Sequence, residues 1–244
     1  MVNNLKNNMT EPFTDFSSIQ KTFEKHSLTQ EKYQKTVFFD KEKNTVEYFP
    51  DKVDNLFWCI FIHKYSLDEY LQIGYKYKNR EIEEKTKAVT YIKENIALMK
   101  QMKITKVDIQ TMIGDLMTNE KTTLFSLQAM SFYFQLHIFL VCKETKTYIE
   151  YNPKEKNICL LYKKSSLSDE KNTKYLIDLQ IPMTYVDFFQ EHFLKYDTYD
   201  KMLKNVACYK KKDLDLIILK LGLCHNLIKP TKQDLYHFIA TSGC

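Results

Sequence analysis

The spacing of apolar positions changes several times along the chain, and each change marks a predicted element. Residues 36–39 and 45–49 are short β-rich runs split by the polar stretch 40–44, a pattern that predicts a hairpin. Residues 54–65, DNLFWCIFIHKY, open with Asp54, a carboxylate able to cap a helix. They then carry apolar groups almost all round, so the helix they predict is a buried one. In residues 82–99 the positions Ile82, Val89, Ile92, Ile96 and Met99 fit one helical face, with Glu and Lys on the other. Residues 105–117 repeat that logic with Val107, Ile109, Met112, Ile113 and Leu116. Residues 122–134 do so again with Leu124, Leu127, Gln128, Met130 and Phe134.

A continuous apolar run of strand length follows at 137–141 and predicts a central strand. Residues 147–151 and 157–162 flank the turn-forming 152–156 and predict a second hairpin. Residues 163–174 read as a polar loop and 185–199 as an amphipathic helix. Near the end, 213–221 is a short apolar helix that Gly222 can close in the left-handed conformation. Thr231 and Asp234 then have the spacing of a capping box for a last helix through Ala240. The whole predicts a mixed α/β protein of α+β type. Its expected divisions are an N-terminal arm over 1–20, a core over 21–200 and a helical module over 201–244.

Composition narrows the chemistry. Six cysteines in 244 residues lie far apart, at 59, 142, 159, 208, 224 and 244, without the paired spacing of a metal knuckle or a disulfide framework. They read as reduced thiols, and no metal is assigned; Cys224 and His225 are adjacent and poorly placed to share one ion. Four dispersed glycines make no phosphate-cradling loop, so a nucleotide cofactor is not expected, nor any other. Residues 1–16 lack a signal-peptide pattern and no apolar run approaches the ~20 residues of a membrane span, which points to the cytoplasm. The net charge is +5, but among 36 basic residues only Arg80 is arginine. Lysine cannot supply the bidentate fork that reads guanine, so the charge allows weak contact with DNA or an acidic partner rather than sequence readout.

The order of elements over 36–165 resembles the ovarian-tumour (OTU) type of papain-like cysteine protease. The residues carrying the resemblance are Asp54-Asn55-Leu56-Phe57 at a buried helix start, and Leu127-Gln128-Ala129-Met130 leading into Leu136-His137-Ile138-Phe139-Leu140-Val141. In that family an Asp-Gly-x-Cys-Leu-Phe motif opens the nucleophile helix, and a Leu-Gln-Ala-Leu-type helix feeds a strand that leads to the hairpin bearing the histidine. The resemblance implies a papain-like core of buried helices on a small sheet. It also exposes two departures. If Leu56-Phe57 match the family's Leu-Phe, the nucleophile position holds Asn55, and an amide cannot attack a carbonyl as a thiolate does. After the strand matching 158–162 the chain has Lys163-Lys164-Ser165-Ser166, with no histidine before His192.

These departures imply a non-catalytic OTU-like protein acting as a protein-interaction scaffold, with a ubiquitin-like partner as one candidate. The alternative is an active cysteine protease or deubiquitinase using Cys59, with Asn55 or Asp54 polarising the site and an imidazole brought from elsewhere. Cys59 as a packing residue beside Phe57 and Trp58, and His137 as a core histidine, are the plainer readings of those side chains. A structural virion component is a further alternative. The stretch from Lys211 to Tyr236 resembles the helix-extended-loop-helix of SAP-type modules, in which basic side chains contact DNA phosphates. Lys211, Lys212, Lys229 and Lys232 are the matching positions. The combination resembles a protein of a large DNA virus.

Overall fold

A helix without a polar face can only sit inside, and α1 (Asn55–Lys64) does: residues 55–62 are all buried, with Phe57, Trp58, Cys59, Ile60 and Phe61 fully so. The structure is a computed structural model that describes residues 37–40, 45–164, 173–180, 183–198, 201–224 and 229–242. The expected arm over 1–20 and most of the expected loop over 163–174 lie outside the described residues.

Around α1 the chain runs β1 (Val37–Asp40), β2 (Thr45–Tyr48), then α1, α2 (Leu67–Ile73), α3 (Tyr77–Glu94), α4 (Ile96–Gln101), α5 (Lys106–Thr118) and α6 (Leu124–Phe134). There follow β3 (His137–Cys142), β4 (Thr147–Tyr151), β5 (Ile158–Lys164), β6 (Lys174–Asp178), α7 (Met183–His192) and β7 (Leu194–Lys195), and finally α8 (Lys211–Leu221) and α9 (Lys232–Ser242). The strands form one mixed sheet in the order β1-β2-β6-β5-β3-β4-β7, so the mixed α/β expectation describes the molecule.

β3 is an interior strand, as its unbroken apolar run predicts, and it separates the two strands expected to form a hairpin. β4 pairs with it antiparallel on one side, Leu140 opposite Ile149. β5 pairs with it parallel on the other, Phe139 opposite Leu160. The turn 152–156 therefore carries the chain across the sheet rather than back along a neighbour. β5 hairpins instead with β6, Tyr162 opposite Leu176, a strand absent from the sequence reading.

Strand alternation assigns the two sheet faces. Phe139, Val141, Leu160, Tyr162 and Leu176 pack with Val186, Phe189 and Phe193 of α7 and its end. Opposite them, α1 lies against β5 and β6, and α3, α5 and α6 pack behind it. At ~25 cal/mol per Å² of apolar area these two interfaces are the main stabilising force.

The helices depart from expectation where charge is buried. The predicted 82–99 helix breaks at Asn95, whose φ of −112° and ψ of 28° interrupt the repeat between α3 and α4. Its inner face is also rotated. Ile82 is 61% exposed, whereas Glu81, Glu84 and Lys85 are buried with Ala88, Val89 and Ile92. Buried charges persist only when paired, and these are. Glu84 accepts hydrogen bonds from Tyr65 Oη (3.0 Å) and Tyr133 Oη (2.9 Å) and faces Arg80 at 3.4 Å. Val107, expected inside α5, is 73% exposed, while Ile109, Met112 and Leu116 are buried.

Behind the sheet edge, α8 and α9 enclose a smaller cluster of Met202, Leu203, Leu214, Ile218, Leu221, Leu235 and Ile239. Gly222 closes α8 at φ +69°, the left-handed conformation expected of it. The Thr231–Asp234 capping box is formed: Thr231 N–H donates to Asp234 Oδ2 (2.8 Å) and Asp234 N–H to Thr231 Oγ1 (3.2 Å).

Candidate functional site

Asp54 caps α1, its Oδ1 accepting the Phe57 N–H at 3.2 Å. Its other oxygen is the hub of a buried network. Oδ2 accepts from Lys85 Nζ (2.6 Å), Thr122 N–H (2.8 Å) and Thr122 Oγ1 (2.7 Å). Lys85 also donates to Glu81 Oε1 (3.0 Å), and Glu81 Oε2 accepts from Trp58 Nε1 (3.3 Å). One carboxylate thus ties the start of α1 to α3 and to the approach to α6. Both Asp54 oxygens hold structural partners.

Asn55 is next, and its amide is used on both sides. Nδ2 donates to the Pro50 carbonyl at 2.9 Å, and Oδ1 accepts the backbone N–H of Tyr175 on β6. One turn on, the Cys59 thiol donates to the carbonyl of that same Tyr175 at 3.5 Å. A strand residue sends its N–H and C=O to one side, towards one neighbouring strand. On that side β6 has β2 as partner only at Asp178 and Ile177, facing Glu47 and Tyr48. Beyond Tyr48 the chain turns away at Phe49 and Pro50, and Tyr175 would face an open edge. Asn55 and Cys59, four residues apart on one helical face, complete the ladder where β2 stops.

This geometry sets the chemistry of Cys59. It is fully buried, and burial pushes its thiol pKa well above the ordinary value, with neighbouring Cys159 and Asp54 acting in the same direction. A thiol so placed stays protonated, the opposite of what a nucleophile needs. The ring hydroxyl of Tyr175, pushed up to about 12 by burial first and then by Cys59 and Asp54, feels the same apolar surroundings.

The histidines stand elsewhere. His63 Nε2 lies 3.0 Å from Asn157 Oδ1, and His192 Nδ1 lies 3.0 Å from the Phe188 carbonyl. His137 opens β3, buried, with Nε2 lacking a hydrogen-bond partner and its ring against Phe139. Among the described residues no imidazole hydrogen-bonds to Asn55 or Cys59. The chain that reaches Asn55 after β5 is Lys174-Tyr175, through the backbone of Tyr175.

Of the candidate residues, the structure brings Asp54, Asn55 and Cys59 together around α1. It sets the four tail lysines apart, on the α8–α9 module. Lys211 Nζ donates to the Pro230 carbonyl at 2.5 Å, so the first turn of α8 and the entry to α9 share one end. Lys211, Lys212, Lys229 and Lys232 are therefore gathered by the fold although they span two helices and a connection. Among the described residues no cluster of three or more His, Cys, Asp or Glu side chains is suited to a metal ion, and no helix is long and apolar enough to cross a membrane.

Tyr175, Lys85, Glu81 and Thr122 are the site's other members. Sequence reasoning passed over them because a lysine and a glutamate four apart on a helix ordinarily mark a solvated face. No family model matches the chain, and comparison with curated proteins and with solved structures returned no match.

Proposed function

We propose that the chain is a non-catalytic binding protein, an OTU-like scaffold whose nucleophile position has become a structural joint, with a C-terminal module that makes weak contacts with DNA or an acidic partner. The observation that carries this reading is Asn55. At the helix start that would present a nucleophile, the side chain is an amide whose donor and acceptor are spent on Pro50 and Tyr175. A protease using Cys59 would need a thiolate within reach of an imidazole, and the burial of Cys59 and its bond to the Tyr175 carbonyl oppose both. A structural virion role would favour one continuous apolar surface. The large exposed apolar side chains are instead spread over several elements, including Ile82, Val107, Phe188 and Leu219.

The test is to incubate the native chain with a ubiquitin-based thiol-reactive probe, with Cys59→Ala beside it. The reading predicts no Cys59-dependent adduct from folded protein. An adduct lost in the alanine variant would establish a protease and end the scaffold proposal.

The tail reading rests on a separate observation, the Lys211–Pro230 contact that puts both helix starts at one end. With the starts of α8 and α9 at one end, the basic positions of the SAP-like pattern lie close together. The lysines at that end offer a polyanion charge without a bidentate reader, which favours phosphate-backbone contact over base recognition.

A further inference from the structure

A surface helix ordinarily carries one apolar stripe with polar residues opposite, and α8 departs from this by being apolar on two opposite faces. Leu214, Ile218 and Leu221 are buried in the cluster shared with α9. On the far side Leu216 is 64% and Leu219 77% exposed. Lys212 stands four residues before Leu216 on the same face, and its methylene stem prolongs the apolar strip. Spacings of four and three residues make the seam by which one helix packs along another.

The edges of that seam are charged. Asp213 and Lys220 lie on the same edge, seven residues and so about 10 Å apart along the axis, too far to pair with each other. Asp213 Oδ2 accepts the Lys210 N–H at 2.7 Å, and Lys220 Nζ donates to the Gln190 carbonyl of α7 at 3.1 Å. Among the described residues neither forms an ion pair, although Lys220 is half-buried and burial lowers its pKa, with Glu191 opposing. The seam therefore offers an apolar strip, a carboxylate and an ammonium, all three without a complement. Asp213 on one edge and Asp215 on the other would repel an anionic lipid surface. A second copy of the same helix supplies every complement at once. About a two-fold axis between Ile217 and Ile218, an antiparallel neighbour sets its Leu219 opposite Leu216. The same rotation brings its Lys220 within two residues' rise, about 3 Å along the axis, of Asp213. A parallel pair would instead crowd the two lysine-rich helix starts together.

We propose that α8 mediates reversible self-association: two copies set their α8 helices antiparallel, Leu216 of each against Leu219 of the other and Asp213 of each beside Lys220 of the other. This goes beyond the scaffold reading and does not rest on it. A helix of 11 residues is about 16 Å long, so the contact falls below the ~1,200 Å² of stable interfaces and the expected dissociation constant is on the order of 10–100 µM.

Sedimentation equilibrium of the full-length chain from about 5 to about 500 µM spans that range. The weight-average mass should rise with concentration from that of one chain towards twice it. Leu219→Lys, at an exposed position, should hold the protein monomeric throughout while its near-UV circular dichroism stays native. Asp213→Lys and Lys220→Asp each set like charges at both contacts, and each alone should weaken association at least about tenfold. Mixed, the two variants should associate again, because each supplies the charge that the other lacks; damage within either chain could not produce that recovery. A wild-type mass that stays at one chain, association that survives Leu219→Lys, or a mixture no heavier than its separate components overturns the proposal.

Discussion

Asn55 on α1 and Tyr175 on β6, 120 residues apart in sequence, are joined by a hydrogen bond in which the side-chain amide accepts the strand's backbone N–H. With Cys59 taking the carbonyl of the same residue, a helix supplies the pairing that a strand would otherwise give. The joint fixes α1 to the sheet at the point where β2 leaves it.

Asn55→Ala removes a donor and an acceptor together and strands the Tyr175 N–H and the Pro50 carbonyl. With ~1–3 kcal/mol for each of the two groups left unpaired, the variant should lose about 2–6 kcal/mol. Urea denaturation measures it. Asn55→Asp keeps the acceptor but faces the Pro50 carbonyl with a second oxygen, so it should be no better than alanine at neutral pH.

The charge pairs on α3 separate buried from exposed energetics on a single helix. Lys85 and Lys87 each stand four residues after a glutamate they contact, at 3.0 and 2.6 Å. Lys87→Met should cost less than ~1 kcal/mol, because Lys87 and Glu83 are both about half exposed and water screens them, while the buried Glu84 that Lys87 also meets at 3.2 Å keeps Arg80, Tyr65 and Tyr133. Lys85→Met leaves Asp54 and Glu81 buried without their cation and should cost ~3–5 kcal/mol. Equal melting temperatures for the two variants would show that the Asp54 network carries no such weight.

Much of this architecture is legible in the sequence, and the failures have common causes. The element types of α1, α5, α6, β3, α8 and α9 follow from apolar spacing and capping residues: Asp54, Thr105, Thr123 and Thr231 all accept hydrogen bonds from the first turns they precede. Strand pairing does not follow, because spacing along the chain cannot say that β3 inserts between β4 and β5. α2 and β6 escaped because they are short and mixed in polarity: Leu67–Ile73 has only Tyr70 buried, and Lys174–Asp178 begins with an exposed lysine. For the site, Asn55 and Cys59 were visible as candidates. Their shared partner Tyr175 was not, since the contact is backbone and any residue type supplies a backbone N–H.

Acid should weaken the fold through its histidines. Burial lowers the pKa of His137, with Lys195 acting the same way and Glu150 opposing; burial likewise lowers that of His63. Each therefore binds a proton more readily unfolded than folded. Their contribution is intact above the ordinary value of ~6.5 and is lost as pH falls below it. Glu81 and Asp178 are raised by burial and act with the opposite sign, but at lower pH, where carboxylates titrate. His137→Leu, which also removes the unpartnered Nε2, should flatten the stability profile between about pH 7 and 5 relative to wild type. Parallel profiles for the two proteins would remove His137 from the explanation.

The tail makes a charge prediction. Reversal of Lys211, Lys212, Lys229 and Lys232 to glutamate should abolish retention on duplex DNA at low salt with little change in melting temperature, because all four side chains are exposed or half-exposed and the Lys211–Pro230 bond that is lost is itself exposed. If each meets one phosphate, the wild-type slope of log affinity against log salt is about −3.6, from ~0.9 per phosphate. A sequence-specific footprint would contradict backbone contact.

Alkylation kinetics mapped by mass spectrometry test the central claim most directly. Cys208 and Cys224 are exposed and free, whereas Cys59 and Cys159 are buried. Treated with iodoacetamide at neutral pH, the native protein should be modified at Cys208 and Cys224 within the time of a free thiol, and at Cys59 only when denaturant opens the joint to Tyr175. Modification of Cys59 in folded protein faster than at the exposed cysteines would reveal an accessible thiolate beside α1 and contradict the account.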